Sequence, residues 1–258
     1  MNRRLKSALA AGILFGLGAT GVASAADMAV KARPVVAPVV YPWTGCFIGG
    51  NVGGAWSRMD TTQVAQDGIG PTFANYGREK DSGFIGGGQV GCDFQTNNLV
   101  FGVGGSFDFG SVNGRHLIPD VPGFSETNSL KAIYTATGRI GYLWTPALLG
   151  YVKGGMAWVT NRNSVFLPSG AQFESSGSFT MPGMDVGLGL EWMFTPNWSV
   201  FAEWNYIFFE DDFAQHFTTT PGQAITGETI LTRQRLQTVL LGVNYKFHWD
   251  NAPVVAKY

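Results

Sequence analysis

The stretch MDVGLGLEWMFTPNWSVFAEWNYIF, residues 184–208, alternates strictly on both sides of a tight turn. In its first half Met184, Val186, Leu188, Leu190, Trp192 and Phe194 share one face, opposite Asp185 and Glu191. In its second half Trp198, Val200, Ala202, Trp204, Tyr206 and Phe208 share a face, opposite Ser199, Glu203 and Asn205. A sustained period of two is the signal of a β-strand with one apolar face. Thr195-Pro196-Asn197 between the halves is turn chemistry. The stretch predicts a hairpin.

The same alternation recurs six more times. Cys46, Ile48, Gly50, Val52, Gly54 and Trp56 oppose Phe47, Gly49, Asn51, Gly53 and Ala55. Phe84, Val90, Cys92 and Phe94 oppose Gln89 and Asp93. Leu99, Phe101, Val103, Phe107 and Phe109 oppose Ser106 and Asp108. Tyr134, Ala136, Ile140, Tyr142 and Trp144 oppose Thr135, Thr137 and Arg139. Val152, Met156 and Trp158 oppose Tyr151, Lys153 and Ala157, and Val239, Leu241, Val243, Tyr245 and Phe247 oppose Thr238, Asn244 and Lys246. With the small residues between them, the apolar faces hold about 46 positions, where a charged share of 14% would place roughly six charges by chance. None is charged.

Each segment runs about eleven residues, which suits a tilted strand crossing a bilayer. Aromatic residues gather at the segment ends: Trp144, Trp192, Phe194, Trp198 and Phe247 at one, Trp56, Phe109, Tyr134, Trp158 and Phe208 at the other. Two such girdles mark the two membrane interfaces. Gln95 to Asn98, Thr145 to Leu148 and Thr195 to Asn197 are tight turns. The other connections, 57–82, 110–129, 160–178 and 210–233, read as long loops. The expectation is an all-β, eight-stranded, antiparallel up-and-down transmembrane barrel with short periplasmic turns and long outer loops. Alternation alone also permits the inverse, a soluble carrier barrel with its apolar face inward. Segment length, glycine content and the aromatic positions favour lipid outside.

Composition agrees. The 258 residues include 36 Gly, carry 14% aromatics and only 14% charged residues, and sum to a net charge of −1. That balance argues against nucleic-acid binding, which needs a concentrated positive face. At the N-terminus Arg3, Arg4 and Lys6 precede an apolar run from Ala8 to Val22 and a small-x-small site, Ala23-Ser24-Ala25. This predicts a signal peptide over 1–25, cleaved after Ala25. A Pro-rich periplasmic arm is expected over 26–44, with Pro34, Pro38 and Pro42 denying ladder donors. The barrel is assigned to 45–247 and a C-terminal tail to 248–258.

Several motifs resemble the small outer-membrane immunogenic proteins of alpha-proteobacteria. Trp43-Thr44-Gly45 with Ile48-Gly49-Gly50-Asn51-Val52-Gly53 is similar to their opening strand, and Gly83-Phe84-Ile85-Gly86-Gly87-Gly88-Gln89 to their second. Leu188-Gly189-Leu190-Glu191-Trp192, Thr195-Pro196-Asn197-Trp198-Ser199-Val200 with Ala202-Glu203, and Val243-Asn244-Tyr245-Lys246-Phe247 are similar to the sixth, seventh and closing strands. The resemblance covers about 43–258. It implies an eight-stranded barrel of the OmpA-like kind, surface-exposed and antigenic, with a part in envelope integrity. Gly242-x-x-Tyr245-x-Phe247 also resembles the signal read by the barrel-assembly machinery, although eleven residues follow it. Phe247 and the terminal Tyr258 are both candidates for the aromatic that is read.

The inward charges come next. Arg139, Lys153, Glu191 and Glu203 lie at similar heights on consecutive strands. They are expected to form an ion-pair network in a lumen only wide enough for side chains. Asp93, Asp108 and Asp185 leave the lumen net negative, which keeps a narrow cation-preferring pore as an alternative. Cys46 and Cys92 fall on the outward faces of adjacent antiparallel strands in an oxidising compartment, and a disulfide is expected. His116, His216 and His248 are placed in outer loops or after the last strand, so neither a metal site nor a strand-borne Ser–His pair is expected. No enzyme activity and no cofactor follow. Glycine runs such as Gly86-Gly87-Gly88 lie inside strands and are not phosphate loops.

The expected function is structural: an integral outer-membrane protein supporting the envelope. Its partners would be outer-membrane lipid, lipopolysaccharide and the barrel-assembly machinery. With no peptidoglycan-binding domain after the barrel, a tether would use the basic arm or the tail. A second alternative is an adhesin, binding a host or phage ligand through loop 57–82, with Asp60, Asp67, Arg78, Glu79, Lys80 and Asp81, or loop 210–233, with Glu210, Asp211, Asp212 and Thr218 to Thr220.

Overall fold

The computed structural model describes residues 40–66, 70–120, 122–209, 213–219 and 228–248. The signal peptide, residues 26–39 of the arm and 249–258 of the tail lie outside the described residues. Nine strands follow in order: β1 (Gly45–Gln66), β2 (Gly70–Thr96), β3 (Leu99–Leu117), β4 (Ser125–Thr145), β5 (Leu148–Phe166), β6 (Gln172–Met193), β7 (Trp198–Phe209), β8 (Phe213–Thr219) and β9 (Glu228–Phe247).

Consecutive strands from β1 to β7 pair antiparallel. β1 also pairs with β9, from Cys46↔Phe247 to Gln66↔Glu228, which closes the sheet. β7 and β8 occupy one slot between β6 and β9. Phe208 of β7 pairs with Arg235, and Phe213 of β8 with Thr232 further up the same strand. Together they form one stave, so the barrel has eight. Closure leaves no edge N–H or C=O facing hydrocarbon, the condition for a sheet in lipid.

The faces fall as the alternation requires. Ile48, Val52, Phe84, Val103, Leu188 and Leu241 point outward and are exposed. All ten girdle aromatics are exposed on the same outer face. The tight turns also appear where turn chemistry places them. Thr96 pairs with Leu99 around a two-residue loop in which Asn97 takes φ 53°, a conformation Asn tolerates. Trp198 N–H donates to the Thr195 hydroxyl at 3.0 Å in the last of the three.

The long loops are corrected. The ladder continues far past the outer girdle: β1 reaches Gln66, β3 Leu117 and β5 Phe166, while β2, β4 and β6 begin at Gly70, Ser125 and Gln172. Within 210–233, β8 and the first residues of β9 are also strand. Above the girdle the outward face meets water. Arg58 and Asp60 face outward there while Ser57 and Thr61 are buried inward. Both faces are then polar, and a period-two hydropathy signal vanishes although backbone pairing persists. His116 is corrected with them, since it lies on β3 and not in a loop. His216 lies on β8.

Cys46 and Cys92 pair in register and are joined by a disulfide that closes a sequence separation of 46. Removing that cross-link frees the unfolded chain and should cost about 2–4 kcal/mol. The Cys46→Ser/Cys92→Ser variant, and wild type in reductant, should therefore share a lowered urea midpoint in detergent micelles. An unchanged midpoint would show that the bond adds nothing to the ladder.

Candidate functional site: the barrel lumen

Inward residues on eight narrow staves find most of their partners among each other. β4 and β5 present two cations in register, Arg139↔Lys153. Like charges directly opposed repel, and each turns to carboxylates elsewhere. Arg139 forms a two-pronged pair with Asp93 of β2, Nε to Oδ1 at 2.9 Å and Nη2 to Oδ2 at 2.5 Å. Its Nη1 reaches Glu191 of β6 at 3.0 Å. Lys246 of β9 completes the cluster, with Nζ 2.7 Å from Asp93 and 3.5 Å from Glu191. The Ser199 hydroxyl and Asn244 amide donate to the other Glu191 oxygen at 2.6 and 3.1 Å.

Lys153 turns the other way. Its Nζ lies 2.7 Å from Glu203 and 3.4 Å from Asp185. Tyr151 and Asn205 also donate to Glu203, at 2.7 and 3.0 Å. The four residues picked out by height thus fall into two clusters, Arg139 with Glu191 and Lys153 with Glu203. Tyr151 touches both, because the Arg139 guanidinium lies 5.0 Å from its ring centre. Asp93 and Lys246 prove central to the first cluster. Height along single strands does not reveal this, since the contacts cross the lumen. Asp108 stands apart, accepting from Ser106 at 3.4 Å.

Glycine makes the geometry possible. A Cβ on Gly102 would strike the Asp93 carboxylate and come within 2.9 Å of Arg139. The pair therefore needs a bare backbone opposite it.

Above the ions the lumen becomes apolar. Ala55, Ile85, Val112, Leu130, Ile133, Ala157, Val159, Met181, Phe201, Ile207, Phe209, Leu236 and Leu240 form one buried cluster, with at least one member from every stave. Beneath it a cavity of about 40 Å³, lined by Phe47, Gln89, Ser106, Arg139, Lys153 and Glu203, has room for a few waters. Above the plug a second polar tier contains Glu79, Asp81, Glu126, Asn128, Asn161 and Asn163, all buried. Asn128 donates to Asp81 at 2.8 Å, and Asn161 to Gln234 at 2.8 Å. His116 stands between Glu79 at 3.7 Å and Glu126 at 3.9 Å. Among the described residues no three His, Cys, Asp or Glu side chains are arranged to hold a metal ion.

The periplasmic mouth is stoppered by a residue the sequence reading leaves in the arm. Trp43 is fully buried against Val100, Leu143, Leu149, Tyr151 and Met193. Its indole N–H donates to the Pro146 carbonyl at 2.9 Å, and Lys246 Nζ sits 4.6 Å from its ring centre. A lone Trp before the first alternating segment was the available signal. His248 adds a clasp, with Nε2 2.9 Å from the Pro42 carbonyl oxygen. In the 242–247 motif Tyr245 stacks edge-on with Phe247 at 4.9 Å and with Trp198 at 5.0 Å. Phe247 is half exposed on the outer face, and Tyr258 lies outside the described residues.

Comparison with known proteins agrees with this architecture. The family model described as outer membrane protein beta-barrel domain matches residues 15–247. A search of curated proteins found no match. Among solved structures, Ail, the attachment invasion locus protein of Yersinia pestis, is 18% identical over 79% of this chain and 99% of its own, with a TM-score of 0.39. Neisserial surface protein A is 15% identical over 79% of this chain and 98% of its own, with a TM-score of 0.39. OprG from Pseudomonas aeruginosa is 12% identical over 82% of this chain and all of its own, with a TM-score of 0.45.

Glu191 balances two cations in a buried interior. Truncating it as Glu191→Ala leaves Arg139 and Lys246 with Asp93 alone, and breaking a buried pair costs about 3–5 kcal/mol. Urea unfolding of the refolded barrel should show that loss, and Gly102→Ala should weaken the same cluster from the other side. An unchanged melt for Glu191→Ala would count against a buried network.

Proposed function

The chain belongs to the family of outer membrane protein beta-barrel domains, and from that premise we propose that it is a closed, surface-exposed barrel whose work is to support the envelope, not to conduct solute or catalyse a reaction. The observation that carries this reading is the plug. Every stave contributes to one buried apolar cluster, with ion-paired side chains below it and Trp43 across the periplasmic mouth. An ion crossing such a lumen would have to pass through buried apolar side chains contributed by every stave. The three lumen aspartates that favoured a cation pore have other work or stand alone: Asp93 and Asp185 face Arg139, Lys246 and Lys153.

In this reading residues 1–25 direct export, the 242–247 motif hands the chain to the barrel-assembly machinery, and lipopolysaccharide surrounds the outer girdle. The motifs quoted above support a likeness to the small immunogenic barrels of alpha-proteobacteria, and in this reading the outer rim is the antigenic surface. The basic arm or the tail tethers the barrel beneath the membrane. A second reading has an observation of its own. The strands rise well above the girdle as a paired ladder, and Phe73 and Leu117 stand exposed on it, which offers a firm surface for a host or phage ligand.

Planar bilayers test the closed lumen. The mature chain, shown to be folded by a fast-migrating unboiled band on an SDS gel, should give no discrete conductance steps. Regular cation-selective steps would replace the structural reading with a pore. On cells, deletion should increase vesicle shedding and detergent sensitivity. Replacing the exposed Phe73 and Leu117 by Ser should leave both unchanged, and a change in either would make the rim the working part.

A further inference from the structure

Cations inside this barrel all find carboxylates. On the outer wall a row of three does not. Arg58 of β1 pairs in register with Lys80 of β2 on one side and with Arg235 of β9 on the other. All three are exposed and point outward. Directly opposed like charges are destabilising in a sheet. Asp60 lies two residues higher on the same face and is taken by Arg78 at 2.5 Å. A row of three cations on adjacent strands is therefore held together with no ion pair to a carboxylate among the described residues.

Depth identifies the missing charge. Trp56 lies two residues below Arg58 on the same face, about 7 Å along the strand. Its exposed ring belongs to the outer girdle, and Val52 and Ile48 continue below it into the apolar band. Aromatic girdles sit at headgroup level, so side chains reaching upward from the next tier meet the first phosphates of the outer leaflet. A cleft of about 420 Å³ lies there, lined by Trp56, Arg58, Lys80, Asp81, Tyr206 and Arg235; the Asp81 carboxylate is buried and accepts from Asn128 inside the barrel. Two guanidinium forks and an ammonium suit the oxygens of a phosphate monoester.

We propose that Arg58, Lys80 and Arg235 form a binding site for a lipid-borne phosphate monoester, the headgroup of a phosphorylated glycolipid in the outer leaflet. The inference rests on the reading of the chain as a closed outer-membrane barrel. It adds a lipid contact of fixed position to a wall otherwise bathed by lipid at large. The bound dianion removes the repulsion across β9, β1 and β2, at the seam where the barrel closes.

The test uses the mature chain refolded into three kinds of vesicle: phosphatidylcholine alone, phosphatidylcholine with bisphosphorylated lipid A, and phosphatidylcholine with the same lipid A stripped of phosphate. The unboiled gel band first establishes a closed barrel, and its loss on heating gives a midpoint. Phosphorylated lipid A should raise the wild-type midpoint in proportion to dose, and stripped lipid A should not. The Arg58→Gln/Lys80→Gln/Arg235→Gln variant should need at least tenfold more lipid A for the same shift. In phosphatidylcholine alone it should melt at or above wild type, because the repulsion is gone. Arg162→Gln, which removes an exposed cation on β5 across the barrel, should respond like wild type. An equal lipid A response in the triple variant would overturn the site. A full shift produced by millimolar inorganic phosphate would overturn its assignment to a lipid. Absence of the fast band in wild type would instead defeat the closed-barrel reading, and this inference with it.

Discussion

In hydrocarbon a peptide N–H or C=O has no water to turn to, and each must find its partner within the protein. For a sheet, that requires the first strand to meet the last. The β1–β9 pairing from Cys46↔Phe247 upward meets it. The rest follows from closing with only eight staves. The lumen becomes as narrow as the side chains that fill it. Inward polar groups must then turn to one another or to water in the lumen, and a bulky pair can need a bare backbone facing it. Arg139 bound to Asp93 over Gly102 is this constraint at one point.

The lumen answers the constraint in layers. Trp43 and its neighbours stopper the periplasmic end, ions fill the next layer, an apolar plug the middle, and a second polar tier the outer half. Buried ion pairs are weak sources of net stability, because desolvation offsets most of their attraction. Their value here is exclusion. Arg139 and Lys153 oppose each other in register, yet each is held by two carboxylates at other staves. That arrangement braces the wall across the lumen, where the ladder alone connects only neighbours.

Much of this was legible in the sequence because lipid imposes a hydropathy contrast. Within the bilayer every outward position must be apolar, so Ile48, Val52 and Trp56, or Leu188, Leu190 and Trp192, mark their faces without ambiguity. The inward positions of Arg139, Lys153, Glu191 and Glu203 follow by parity. Above the girdle the contrast is gone. Ser57, Arg58, Met59, Asp60 and Thr61 alternate in space and not in polarity, so this strand reads as loop and His116 as lying off the ladder. Parity also says which wall a side chain leaves and not what it meets. The partnership of Arg139 with Asp93 and Lys246 depends on strand tilt and on the reach of long side chains across the lumen. Trp43 was hidden for another reason, since a single residue outside any repeat carries no periodic signal.

The outer wall turns the same rule around. Inside the barrel a charge without a counter-charge would be expensive, and the structure supplies one for each cation. Outside, at headgroup depth, the solvent itself is charged. A sequence need not encode an anion that the membrane provides. Arg58, Lys80 and Arg235 stand side by side without a carboxylate, directly above Trp56, where an acid in the protein would compete with lipid phosphate. Like-charge neighbours on an antiparallel ladder are a fault in water and a fit in that layer. The charge distribution of this barrel is complete only with the bilayer counted as part of its surroundings.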